Sequence, residues 1–145
     1  KNPYAGEAKE VGTQLGEFLS TMAKTKKMGS KPKIAIFGGE PTVHVAGSGK
    51  GGRNLELALS AADIVDGVED VALISFSTDG EDGPTDAAGA IVTGKTAEFA
   101  KQMGLSAEEF IAENDSYHFF EKVGGLIKTG PTGTNVNDLV FLIAF

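Results

Sequence analysis

The sequence has 145 residues, 41% apolar and 23% charged, which is the size and balance of one globular domain and excludes a disordered chain. A formal net charge of −7 argues against nucleic acid as a partner, and the longest apolar run, Leu139 to Phe145, is strand-sized, far from the roughly eighteen residues of a membrane span. With no cysteine there can be no disulfide or thiolate metal site, which is compatible with a cytoplasmic location.

The chain opens Lys-Asn-Pro-Tyr, with neither an initiator methionine nor a signal-peptide pattern, and this predicts a piece of something longer. From Ala5 to about Met28 the apolar residues Val11, Leu15, Phe18, Leu19 and Met22 recur at helical spacing, and Gly29 with Pro32 ends the run. Lys33 to Phe37 predicts a short strand, and the alternation of Thr42 to Ala46 predicts a second, antiparallel to it. A glycine-rich loop, Gly47 to Gly52, precedes a helix over Asn54 to Val65. Val71 to Ser75 is almost continuously apolar, the pattern of a strand covered on both faces.

A polar segment follows, Ser77 to Asp86, and then a small-residue stretch, Ala87 to Val92. Helices are expected over Thr96 to Met103, from the capping box Ser106-x-x-Glu109 to about Glu113, and over Tyr117 to Val123. Leu126 to Lys128 leads into the loop Thr129 to Asn137, and Leu139 to Phe145 closes the chain as a buried strand. Helices alternating with strands predict a layered α/β domain with a mixed, largely parallel sheet flanked by helices. Residues 1–31 are expected to form a connecting helix and residues 32–145 the domain proper.

Three loops could carry chemistry. In Gly47-Ser48-Gly49-Lys50-Gly51-Gly52-Arg53 the glycines let backbone N–H groups converge on one anion, and two cations stand beside them. It is no Walker A loop, because His44 and Gly51 occupy positions where that motif needs Gly and Ser or Thr. Gly47, Gly49 and Gly52 do fit G-x-G-x-x-G, the dinucleotide fingerprint, although the preceding segment alternates and no ribose acid is placed. The same loop also fits a tight connection with solvated cations.

The acidic loop, Ser77 to Asp86, offers hard oxygen ligands of the kind that suit Mg²⁺, and equally the acids of a self-capping turn. In the third loop, Thr129 to Asp138, hydroxyls and amides could bind a hydroxy acid or phosphate, or serve their own turns.

Together, GKGGRNLELAL (49–59), STDGEDGPTDAAGAIV (77–92), NDSYHFF (114–120) and TGPTGTNVNDLVFLI (129–143) resemble, in order, the signature blocks of the MOFRL domain of type II glycerate 2-kinases. Leu55, Pro41 and Glu81 depart from the usual pattern. The resemblance implies transfer of the γ-phosphoryl of ATP to the 2-hydroxyl of D-glycerate, with Mg²⁺, in a cleft shared with a missing N-terminal domain; homodimerisation stays open. It implies Arg53, Lys50 and Asp79 as catalytic residues. Gly49, Gly51, Gly52, Asn54, Thr129, Gly130, Thr132, Thr134 and Asn135 are implied as substrate or phosphate contacts, Asp82 and Asp86 as metal ligands, and Glu56, Asp115 and Asp138 as supports. Family members have also been labelled hydroxypyruvate reductases, so an NAD(P)-dependent reductase and a non-catalytic binding module are the alternatives.

Overall fold

Helix α1, Ala8–Lys24, forms where Ala8, Val11, Leu15, Leu19 and Met22 share one side, and all five are buried. The computed structural model describes residues 4–27 and 29–145, so the expected end of this helix at Met28 lies outside the described residues. α1 packs along α2, Arg53–Ala62. Two glycines set the approach: a Cβ on Gly12 would lie 2.2 Å from the Leu57 carbonyl oxygen, and one on Gly16 would lie 2.9 Å from Ile64 Cβ. Tyr4 and α1 belong to the same apolar core as the rest of the chain, so the division expected at residue 31 does not separate two cores.

Five strands follow: β1 (Lys33–Gly39), β2 (Val71–Ser77), β3 (Gly89–Thr93), β4 (Leu126–Ile127) and β5 (Asp138–Ala144). They lie in the order β1-β5-β2-β3-β4, and every neighbouring pair is antiparallel. The expectation of a largely parallel sheet is therefore corrected. β1 and β2 do run the same way across α2, but β5 inserts between them and reverses both pairings. Strand β3 was hidden in a stretch of small residues. Those residues are small because β2 is close: a Cβ on Gly89 would lie 1.9 Å from the Ser75 carbonyl oxygen.

The helices gather on one face of this sheet, where Leu73, Val92, Val140 and Leu142 are fully buried. On the other face the cross-strand row Ile36, Phe141, Ile74 and Ile91 is only partly covered, and the Phe76 and Phe141 rings stack with centroids 6.0 Å apart. The apolar run of β2 is thus covered by helices on one face rather than on both. The remaining helices are α3 (Thr96–Gln102), α4 (Ala107–Ala112) and α5 (Ser116–Val123). At α4 the serine of the expected capping box does cap the helix, since Ser106 Oγ accepts the Glu109 N–H.

Thr42 to Ala46 does not form the expected second strand. Only Thr42 makes an isolated bridge, to Glu7. Further along, the Asn114 side chain claims the backbone: its Oδ1 accepts the Ala46 and Gly47 N–H groups, and its Nδ2 donates to the His44 carbonyl. A side-chain amide takes the place of a partner strand. As a result the exits of β1 and β2, the entry of β5 and the start of α2 all lie at one end of the sheet, with Gly39 and Ser77 both paired to Asp138.

Close contact at Gly12 outweighs helix propensity. Alanine there gains about 1 kcal/mol of propensity, whereas driving a methyl to 2.2 Å from a backbone carbonyl costs about 2–3 kcal/mol, the upper part of the overpacking range, because two helices must part. We expect Gly12→Ala to lose at least about 1 kcal/mol in denaturant titration; an unchanged or raised midpoint would contradict the packing.

Candidate functional site

The acidic loop is anchored first by Asp82, whose side chain is 2% exposed. Its Oδ1 accepts the Asn54 N–H and Asn54 Nδ2, and its Oδ2 accepts the Leu55 N–H at 2.8 Å. A carboxylate from a distant loop thus caps α2, and its charge answers the helix dipole. Burial pushes its pKa up to about 6, despite three donors favouring the charged form. Gly51 and Gly52 pack directly on this segment, since a Cβ on Gly52 would lie 2.4 Å from Asp82 Cγ.

The acidic and threonine–asparagine loops are stitched together by hydrogen bonds. The Thr132 N–H donates to the Asp79 carbonyl, Thr132 Oγ1 to the Thr78 carbonyl, the Val136 N–H to Thr78 Oγ1, and Asn135 Nδ2 to Asp79 Oδ2. At Gly80 the backbone φ is +96°, and a Cβ would lie 2.1 Å from the Gly130 carbonyl oxygen. Only glycine meets both conditions.

Arg53, the one arginine of the chain, starts α2 between these loops. Its Nε and Nη2 donate to the two carboxylate oxygens of Asp138, which is fully buried at the start of β5, and Nη1 donates to Glu40 Oε1 at 3.1 Å. Arg53 also helps hold the Asp79 pKa below the ordinary carboxylate value, behind the larger effects of the Glu81 N–H and the Ser77 hydroxyl. Beside it opens a cavity of about 690 Å³ lined by Pro41, Val43, Val45, Gly52, Glu56 and Asn114, among others. Glu56 accepts Asn114 Nδ2 at 3.0 Å, and burial raises its pKa more than that bond lowers it. Gly49, Gly51 and Gly52 of the glycine loop and Gly83 and Pro84 of the acidic loop line this cavity, and the third loop is tied to them through the Asp79–Asn135 and Arg53–Asp138 contacts.

Several expected site residues have other work. Asn54 is fully buried: its Nδ2 binds Asp82 and its Oδ1 accepts the Ser75 hydroxyl, so it is out of reach of a ligand. Asp82 caps a helix, and Asp86 accepts Tyr117 Oη and Lys128 Nζ, which hold its pKa down to about 2. Both acids expected as metal ligands are thus engaged by other groups, and no group of three or more His, Cys, Asp or Glu suited to a metal exists among the described residues. Lys50 turns from the cavity to sit 4.2 Å above the Tyr117 ring. Asp115 braces the glycine loop by accepting the Lys50 N–H and pairing with His118.

The glycine loop was read as an anion cradle, but much of its backbone is already spent. Gly47 donates to Asn114 and Gly49 to the Glu113 carbonyl, while a Cβ on Gly49 would lie 2.4 Å from Asp115 Cβ. The glycines are needed chiefly for this contact with the turn at 113–116. No strand enters the loop as a dinucleotide fingerprint requires, so that motif is accidental. Gly49, Gly51 and Gly52 do line the cavity. Thr129, Gly130, Thr132, Thr134 and Asn135 are exposed on the rim, the hydroxyls of Thr129 and Thr132 bonded to backbone carbonyls. Glu40 and Asn114 were missed as cavity residues; the signal for Asn114 was an Asn at a helix end, where it takes a left-handed φ of +53°.

Fold and site define an α/β domain whose polar loops are gathered at one end of an antiparallel sheet. Residues 33–138 match the MOFRL family, and the chain belongs to it. It is 52% identical over 134 residues to a D-glycerate 2-kinase of Thermotoga maritima and 45% identical over 139 residues to a glycerate 2-kinase of Pyrococcus horikoshii, covering 92% and 95% of this chain. Those alignments take in 32% and 31% of the two relatives, so the chain spans about a third of their length, at the C-terminal part. The crystal structure of glycerate kinase from Thermotoga maritima superposes with a TM-score of 0.92 at 49% identity, over 97% of this chain and 34% of that one.

The raised pKa of Asp82 fixes a sign. Between about pH 4 and 6 the folded chain holds a proton that the unfolded chain has released, so this group's contribution to stability is greatest at low pH and falls as pH rises through 6. Asp82→Ala should flatten that fall and, by stranding the Asn54 and Leu55 amides, cost about 1–3 kcal/mol overall. Denaturant melts at pH 4, 5, 6 and 7 check both, and parallel profiles for the two proteins would contradict the assignment.

Proposed function

We propose that this chain is the C-terminal part of a glycerate 2-kinase, in which D-glycerate and ATP meet in a cleft between this domain and a second one preceding it. The observation that carries this is the single rim holding Arg53, Asp79 and Asn135, in a chain whose relatives are glycerate kinases. Phosphoryl transfer needs positioning and charge stabilisation more than covalent chemistry. Three of the five N–H donors of Arg53 are engaged, which leaves two to grip the substrate carboxylate or the transferring phosphoryl group. Gly51 and Gly52 line the cavity beside Arg53.

Asp79 stays ionised, which makes it a weak proton acceptor and a good ligand or orienting group. Mg²⁺ is characteristically held by one or two carboxylates together with substrate phosphates, and the carboxylate we assign to it is Asp79, which the Ser77 hydroxyl, the Glu81 N–H and Asn135 already orient. When bound with the nucleotide, Mg²⁺ would supply charge neutralisation at the phosphates. Against one arginine the rim carries Glu40, Asp79 and Asp138, so this wall alone is anionic. Holding two anionic substrates therefore calls for cations from the facing domain.

In the full-length enzyme, assayed with ATP, Mg²⁺ and D-glycerate through a coupled reaction, Arg53→Ala should lower kcat on the order of 10³-fold. The 145-residue chain alone should show no turnover. A loss below about tenfold with the fold intact would remove Arg53 from the reaction.

A further inference from the structure

We propose that Asp138 is the positioning residue of this site, fixing the plane and direction of the Arg53 guanidinium. Asp138 is the first residue of β5, the strand paired on both sides, and its side chain has no exposed surface. An ionised carboxylate in such a place needs a partner, and Arg53 supplies a two-point one through Nε and Nη2. The contact raises the Arg53 pKa, chiefly through the hydrogen bonds and against the cost of burial. Because β5 is held by β1 and β2, its carboxylate cannot follow the arginine if the arginine moves. The Nε edge therefore faces the sheet, and the terminal nitrogens are carried toward the cavity.

Glu40 is the weaker hold. Its side chain is 58% exposed, it reaches a single nitrogen, and it can swing away. Lysine at position 53 could not reproduce the arrangement, since an ammonium has no planar fork to match both oxygens. Tyr4, buried beside Asp138 and Gly39, closes the site from beneath, so the carboxylate has no path to solvent. The positioning stands on this geometry alone. Its consequence for turnover rests on the phosphoryl-transfer assignment above.

Because the chain contains one arginine, a ¹H–¹⁵N spectrum of the 145-residue protein shows a single Arg Nε–H signal. We expect its hydrogen to exchange with solvent at least about tenfold more slowly than in free arginine, and Asp138→Asn to abolish that protection. Free-arginine exchange in the unsubstituted protein would overturn the proposal without any variant, and protection surviving in Asp138→Asn would do the same. In the full-length kinase, Asp138→Asn should lower kcat on the order of 10²-fold and move KM much less. Lost protection with full activity would leave the positioning in place and remove Arg53 from the reaction. Lost activity with protection retained would show that Asp138 acts by another route and overturn the proposal.

Discussion

A carboxylate with no exposed surface, set on an interior strand of the sheet, constrains everything at that end of the molecule. Burying the Asp138 carboxylate there calls for a cation beside it, and the chain owns one arginine to supply it. Arg53 is also the first residue of α2, so the ion pair pins the start of that helix to the entry of β5. Asp82 then caps the same helix from the acidic loop, and the acidic loop in turn carries the threonine–asparagine loop through Asp79, Thr78 and Thr132. The pair acts together with the Asp82 cap and the Thr132 and Asn135 hydrogen bonds in bringing the three loops to one end.

Much of the architecture could be read from residue order. The side of α1, the strands β1, β2 and β5, and the serine cap of α4 followed from periodicity and from one motif. Pairing direction did not follow, because an apolar run such as Val71 to Ser75 looks alike in a parallel sheet and in the middle of an antiparallel one. Nor did β3, whose Gly89 and Ala90 are dictated by the closeness of β2 rather than by strand propensity. Thr42 to Ala46 alternates like a strand, yet its backbone is claimed by Asn114, some seventy residues away in sequence. No local pattern announces such a contact.

The site shows the same division. Residue types and order brought Arg53, Asp79, Asn135 and Asp138 into consideration together, and the structure joins them in two pairs, Arg53 with the buried Asp138 and Asp79 with Asn135. What sequence could not distinguish was the purpose of each glycine and acid. Glycines 47 and 49 suggest a cradle for an anion, but the structure uses them to press one loop against the 113–116 turn. Asp82 and Asp86 suggest a metal site, whereas one serves backbone amides and the other a tyrosine and a lysine. Acidic loops satisfy such internal demands first, and even the half-buried Asp79 accepts the Ser77 hydroxyl, the Glu81 N–H and the Asn135 amide.

The most direct measurement is a crystal structure of the full-length kinase with D-glycerate and a non-hydrolysable ATP analogue bound. The account predicts a carboxylate or phosphate oxygen within hydrogen-bonding distance of the terminal nitrogens of Arg53, with Asp79 and Asn135 facing the same ligand. Ligands bound on the far side of the glycine loop, around Lys50 and Tyr117, with Arg53 untouched, would contradict it.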